Sequence, residues 1–186
     1  MSMRPPVDRQ RIIHFLELLG QRFRKAGRVF LVGGTTLVFE GFRTQTLDVD
    51  LSFEVADRDH GEFIRTVRAL KDELAINVEE ASPGDFIPLP KGHQDRAHFV
   101  GRFGTLDVYH FDLYSVALSK IERGRDADFA DVLALLEAGW LNFEALNRYF
   151  AEILPQVGER SLKEDPLEFQ RKFAYLEAAW AARRAS

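Results

Sequence analysis

Val29-Phe30-Leu31-Val32-Gly33-Gly34-Thr35-Thr36, followed after a short interval by Leu47-Asp48-Val49-Asp50-Leu51-Ser52-Phe53, is the stretch on which the reading of the chain turns. Val29 to Val32 is a continuous apolar run with β-branched and aromatic members and glycine on both sides, the pattern of a buried strand. Gly33-Gly34-Thr35-Thr36 then turns the chain into a short helix through Leu37, Val38 and Phe39, which Gly41 stops. From Leu47 to Phe53 the residues alternate. Leu47, Val49 and Leu51 share one face of a strand, and Asp48, Asp50 and Ser52 share the other.

Outward from this stretch, Ile12, Ile13, Phe15, Leu16, Leu19 and Phe23 recur at helical spacing and predict an amphipathic helix over about 8–26. A second helix is expected over 59–75 and a strand over 76–80. Residues 81–95, with three prolines and two glycines, read as the longest irregular segment. Two strand-like runs, 97–103 and 106–111, meet at Gly104-Thr105 as a β-hairpin. Beyond residue 112 the periodicity is helical, over about 113–123, 126–138, 142–153 and 166–183. The expected fold class is α+β, a mixed sheet flanked by helices with a C-terminal helical bundle. The expected division is residues 1–112 and 113–186, packed together because no flexible linker separates them.

Bulk properties narrow the function. With 46% hydrophobic and 29% charged residues, the composition is that of an ordinary globular protein. Charges interrupt every apolar run before the roughly 20 residues that a bilayer span needs, and no secretory pattern opens the chain, so no membrane partner is expected. The absence of cysteine excludes disulfides and thiolate-bound zinc and points to a cytoplasmic setting. A net charge of −4 excludes a uniformly basic nucleic-acid coat. Basic residues do gather at both ends, Arg4 to Arg28 and Arg171 to Arg184, either as solvated helix faces or as one basic face for a phosphate-rich partner.

The chemistry lies in the pair Asp48 and Asp50. Two carboxylates about 7 Å apart along one strand face repel one another. A divalent cation with oxygen ligands relieves the repulsion, and magnesium takes one or two carboxylates together with substrate phosphates. The plainer reading is a solvated strand face. Gly33 and Gly34, between a strand and a helix, stand where backbone N–H groups cradle phosphate oxygens, with Thr35 either capping the helix or adding its hydroxyl. Alternatively the glycines only make a tight turn. Thirteen residues separate Gly34 from Asp48, enough for a short helix and a return.

Leu31-Val32-Gly33-Gly34-Thr35 with Thr46-Leu47-Asp48-Val49-Asp50-Leu51 resembles the glycine-pair and double-acid signature of the DNA polymerase β nucleotidyltransferase superfamily. Within it the chain looks like the AbiEii-type minimal bacterial nucleotidyltransferases, many of them toxins of toxin–antitoxin systems. Ala117 to Arg123, then Arg125 to Val132, is similar to the Lys-bearing and Arg/Asp-rich helical motifs of that group. The likeness spans about residues 29–135. It implies metal-dependent transfer of a nucleoside monophosphate from a nucleoside triphosphate to RNA, such as a tRNA 3′ end, or to protein. Magnesium or manganese would be bound by Asp48, Asp50 and a third carboxylate. Asp107, between Leu106 and Val108, matches that third position, with Asp112 in reserve. Lys120 is expected to reach a triphosphate oxygen, and Arg43 is a second phosphate contact. Asp128 and Asp131 either orient Lys120 or pair locally with Arg123 or Arg125. A cognate antitoxin is an expected partner. The alternative is a non-catalytic nucleotide-binding antitoxin or interaction module on the same fold. No His-x-x-x-His spacing supports a zinc hydrolase, and Trp140, Phe143, Tyr149 and Phe150 fall at core spacing.

Overall fold

The computed structural model describes residues 4–159 and 164–186, and its secondary structure follows the hydrophobic pattern closely. Helix α1 (Arg9–Arg22) starts where the Asp8 carboxylate accepts the Arg11 N–H, an N-cap that satisfies one of the helix's unpaired donors. It buries Ile12, Phe15, Leu16 and Leu19. Then come β1 (Gly27–Leu31), α2 (Gly33–Phe39), β2 (Asp48–Val55), α3 (His60–Glu73) and β3 (Asn77–Glu80). The hairpin strands β4 (His98–Phe103) and β5 (Leu106–His110) follow, then α4 (Leu113–Arg123), α5 (Asp126–Glu137), α6 (Phe143–Ile153) and α7 (Pro166–Arg184). The segment expected to be irregular holds two single 3₁₀ turns, Pro83–Asp85 and His93–Arg96.

The sheet is mixed, in the order β3-β2-β1-β5-β4. Central β1 runs antiparallel to β2 and parallel to β5, β2 runs parallel to β3, and β4 closes the hairpin on β5. One face carries the core. Val29, Leu31, Val49, Leu51 and Val108 pack there with the apolar stripe of α1 and with Phe63 and Leu70 of α3. The alternate residues of every strand stand on the opposite face.

Two compact units divide the chain: Met1–Ser82 with Ala97–Phe111, and Pro83–Arg96 with Asp112–Ser186. Residues 83–96, read from the sequence as a loop of the first part, therefore group with the helices. Polar contacts and burial of Ile87 hold it there: Arg96 makes two hydrogen bonds to the Asp112 carboxylate, at 3.0 and 2.9 Å, and the Lys91 N–H meets Glu152 at 2.7 Å. In this second unit α4 packs against α5, α6 and α7. None of the described helices is long and apolar enough to cross a membrane.

Within the first unit α1 crosses the hairpin turn at backbone contact. A β-carbon on Gly20 would stand 2.3 Å from the Phe103 carbonyl oxygen, and one on Gly104 2.3 Å from the Gly20 oxygen. Gly20→Ala should therefore lower the unfolding free energy by about 1–3 kcal/mol, as overpacking does. Gly61→Ala, in the open first turn of α3 with only the Arg65 side chain nearby, should be neutral or gain about 0.5–1 kcal/mol. Urea denaturation of the two variants checks the contrast.

Candidate nucleotide and metal site

The site begins at the end of β1. Gly33 has φ +57°, a left-handed conformation that costs a residue with a β-carbon but not glycine. A β-carbon at Gly33 would also stand 3.4 Å from Asp50 Oδ2, and one at Gly34 would meet Thr46 Oγ1 at 3.0 Å and Arg43 Nη1 at 3.6 Å. The glycine pair thus lets the turn approach the Asp50 carboxylate and the Arg43 guanidinium together. The loop between α2 and β2 is held by paired Val7–Thr46 backbone hydrogen bonds of 2.7 and 2.9 Å, and Arg9 Nε donates to the Phe39 carbonyl at 2.7 Å.

Thr35 departs from its expected role. Its hydroxyl is fully buried, accepts the Asp50 N–H at 2.8 Å and faces the Asp48 carbonyl at 3.4 Å. It fixes the backbone of both acids to α2 instead of facing a phosphate. Nor does it cap the helix, whose N-cap is Val32, without a side-chain bond. Asp48 and Asp50 are half-buried and lie on the same face, opposite Val49 and Leu51. Among the described residues the Asp48 carboxylate has no hydrogen-bond or ion-pair partner.

Register separates Asp107 from this pair. Leu31, at the glycine end of β1, is level with Leu51 and His110, whereas Asp107 is level with Arg28 near the other end. Asp107 belongs to a row of alternating charge across four strands, Glu54, Arg28, Asp107 and Arg102. Arg28 pairs with Glu54, and Arg102 holds Asp107 through two hydrogen bonds of 2.8 and 3.3 Å. That hydrogen bond and the guanidinium charge keep the Asp107 pKa below the usual aspartate value. The level of Asp50 on β5 is occupied by Phe111, whose N–H bonds the Leu31 carbonyl. The reserve acid Asp112 is engaged as well. It is 1% exposed, accepts the Tyr114 and Ser115 N–H groups as N-cap of α4, takes the Ser115 hydroxyl at 2.7 Å and pairs with Arg96.

A carboxylate overlooked in the sequence does stand beside the pair. Glu79, exposed on β3, is in register with Asp50, and Asn77 with Asp48. Parallel pairing is a long-range fact that no local pattern announces. Among the described residues, no three His, Asp or Glu side chains are already arranged to hold a metal ion.

The second unit contains a buried charge cluster of its own. Lys120, 2% exposed, donates to Asp131 at 2.8 Å and Asp128 at 3.4 Å, and Arg123 Nε reaches Asp128 at 3.1 Å. Of the two readings open for Asp128 and Asp131, both hold: they orient Lys120, and Asp128 also pairs with Arg123. Burial pushes the Asp128 pKa up, but the Arg123 hydrogen bond and the Lys120 charge outweigh it and leave it below the usual value.

The basic ends are not free positive faces. Arg4 pairs with Asp72, Arg22 with Glu73, and Lys25 with Asp59 and Glu62. Arg183 pairs with Glu137 and Arg171 with Glu168. His110 is buried, with Nδ1 3.1 Å from Thr36 Oγ1 and Nε2 2.5 Å from Glu40. It ties α2 to β5 and leaves the sheet's open face to its neighbours. Burial lowers its pKa against the opposing pull of Glu40.

Residues 10–176 match a family described as a nucleotidyltransferase of unknown function (DUF6036). The chain belongs to this nucleotidyltransferase family. No significant match was found among curated proteins or among solved structures. The match covers both units and so takes in the glycine pair, both acids and the Lys120 cluster. The AbiEii likeness is not among the findings, which stop at the broader nucleotidyltransferase assignment.

Two outcomes follow from the Lys120 cluster. Lys120→Ala removes the cation that Asp128 and Asp131 share in this buried cluster and should cost about 3–5 kcal/mol, the usual penalty for breaking a buried pair. Asp128 has a depressed pKa, so its stabilisation is present above the unfolded aspartate value of about 3.9 and is lost as pH falls through the lower folded value. Asp128→Asn should therefore melt below the parent at pH 7, and the two melting curves should converge towards pH 3.

Proposed function

We propose that the chain is a divalent-cation-dependent nucleotidyltransferase that moves a nucleoside monophosphate from a nucleoside triphosphate to a macromolecular hydroxyl. The reading rests chiefly on the placement of Asp50 Oδ2 against the missing β-carbon of Gly33, with the Arg43 guanidinium beside Gly34. Glycine there brings the backbone of the turn close to both a carboxylate and a cationic side chain. Asp48, on the same face and with no partner for its carboxylate among the described residues, is the second anion that this arrangement must neutralise.

The donor set suits magnesium or manganese. Asp48 and Asp50 would supply hard carboxylate oxygens to such an ion, which characteristically also takes substrate phosphates and water. Glu79, level with Asp50 on the next strand, is the proposed candidate for the third-carboxylate place that the resemblance implies for Asp107. A bound cation there would neutralise charge on the phosphates and lower the pKa of a nearby hydroxyl. Arg43 and the backbone at Gly33 and Gly34 bind the β- and γ-phosphates and orient them. Thr35 keeps the two acids on the strand at the required spacing. The acceptor oxygen bonds to the α-phosphorus as the bridging P–O bond breaks. Pyrophosphate leaves with the electron pair, and the hydroxyl proton passes to a site carboxylate. From the resemblance we take the acceptor to be RNA or a protein side chain, and the setting to be a cytoplasmic toxin–antitoxin pair. Lys120 is held by Asp131 and Asp128 within the second unit, and no step is assigned to it.

A second reading, a nucleotide-binding module without transfer activity, requires no three-residue metal cluster, and the described residues hold none preformed. Label transfer to total RNA or protein from labelled nucleoside triphosphates with magnesium separates the two. Asp48→Asn and Asp50→Asn should each reduce transfer by about a hundredfold or more, and Asp107→Asn should leave it within severalfold. Magnesium and nucleotide together at about 100 times Kd should add about 2.7 kcal/mol of stability. That gain should vanish in Asp50→Asn. Stabilisation without transfer to either acceptor class would favour the module.

A further inference from the structure

One row on the open face of the sheet has no part in the site as described. Ser52, Phe30, Tyr109 and Phe99 are level with one another across β2, β1, β5 and β4. Phe30 stacks on Tyr109 with ring centroids 5.5 Å apart and planes 25° apart, Phe99 meets Tyr109 edge-on at 5.4 Å, and Phe111 meets Phe30 at 6.0 Å. These rings do not belong to the core, which lies on the other face. Phe30, Tyr109 and Phe111 are half-buried, and Phe99 is 53% exposed.

We infer that this aromatic row is a stacking platform for the unpaired terminal base of a single-stranded nucleic-acid acceptor. The inference rests on the proposed transferase reading, because the chemistry fixes which ligand lies on which side. In-line displacement puts the attacking oxygen opposite the departing pyrophosphate. The glycine turn and Arg43 hold the pyrophosphate end beyond the last residue of β1, so the acceptor enters from the other direction, over the open sheet. Phe30 lies two residues back along β1 from the level of Asp50, about 7 Å, within the span of one nucleotide. A base on Phe30 and Tyr109 thus leaves its ribose hydroxyl directed towards Asp50.

Charge favours bases over phosphates as the recognised group. The neighbouring row, Glu54, Arg28, Asp107 and Arg102, is neutral and internally paired. Adjacent rings beside a charge-neutral row bind through π-faces, as sheet-based single-strand binders do, with stacking worth about 1–3 kcal/mol per base.

The test uses the full chain without magnesium and a 5′-labelled hexameric oligoadenylate, read by fluorescence anisotropy. Phe99→Ala, at an exposed position where folding is not at risk, and Tyr109→Ala should each weaken binding about fivefold or more, and Tyr109→Phe should bind as the parent does. Removing the 3′-terminal base should weaken binding to the parent by a similar factor and add nothing in Tyr109→Ala. The salt slope should be shallow, since few phosphates are contacted. Asp48→Asn should bind the oligonucleotide normally, and Phe99→Ala should keep the rise in melting temperature given by magnesium and nucleoside triphosphate. Equal binding by Phe99→Ala and Tyr109→Ala overturns the inference. So does loss of the triphosphate-dependent rise in those variants, which would assign the rings to the donor's base. Displacement of the oligonucleotide by a tyrosine-containing peptide that is itself a label acceptor overturns it in favour of protein. No triphosphate-dependent stabilisation in the parent, with ring-dependent oligonucleotide binding intact, would instead count against the transferase reading.

Discussion

The hydrogen-bond register of β1 with its two neighbours decides where every group on the open face of the sheet stands. β1 is antiparallel to β2 and parallel to β5, with Leu31 level with both Leu51 and His110. Because side chains alternate with period two, a slip of one residue would send Asp48 and Asp50 into the apolar core and Val49 and Leu51 out of it. Burying two carboxylates against α1 and α3 has a prohibitive desolvation cost, so the core itself enforces the register. From that one constraint follow three successive rows: Asp50 with Phe111, then the aromatic row, then the alternating charges from Glu54 to Arg102.

The same register explains why apparently equivalent acids have different fates. Asp107 sits in a hydrophobic-acid-hydrophobic strand, as Asp48 and Asp50 do, yet the sheet places it opposite Arg28 and against Arg102. There a guanidinium satisfies it through two hydrogen bonds. Asp112 and Asp128 are likewise neutralised by arginines, and Asp131 by Lys120. Asp48 has no such protein partner among the described residues.

Local chemistry made much of this readable from the amino-acid sequence alone. The alternation of Asp48 to Phe53, the glycine pair and the helical periodicities each depend on neighbours a few residues apart, and those elements stand where they were expected within one to four residues. Helix α1 is the largest departure. It ends at Arg22 instead of near residue 26, since Phe23 already leaves helical geometry and Gly27 begins the next strand. What stayed hidden depends on pairing between distant segments. Nothing near Glu79 announces that β3 lies parallel to β2, and nothing near Thr35 announces that its hydroxyl turns towards the Asp50 N–H. The charge clusters at the two ends left two readings open for the same reason: most of their partners, Asp72, Glu73, Asp59 and Glu137, are distant in sequence. Matching of residues 10–176 to a nucleotidyltransferase family bears on the class of chemistry but leaves those placements to geometry.

Thr35 shows how the fold joins rigidity to the site. A buried hydroxyl that accepts the N–H lying between two acids does what a third strand would otherwise do, holding the start of β2 where its outer neighbour pairs only four residues. α2 is in turn fastened at its far end, where Arg9 meets the Phe39 carbonyl and His110 meets Glu40. Two carboxylates that repel one another would tend to fray the end of a strand. Tethering their backbone to a short helix locked at both ends keeps them together, and on the proposed reading this leaves less ordering to be done when a cation binds. Valine in place of Thr35 keeps the volume but loses the acceptor for a buried N–H, and the cost of that loss falls directly on the spacing of Asp48 and Asp50.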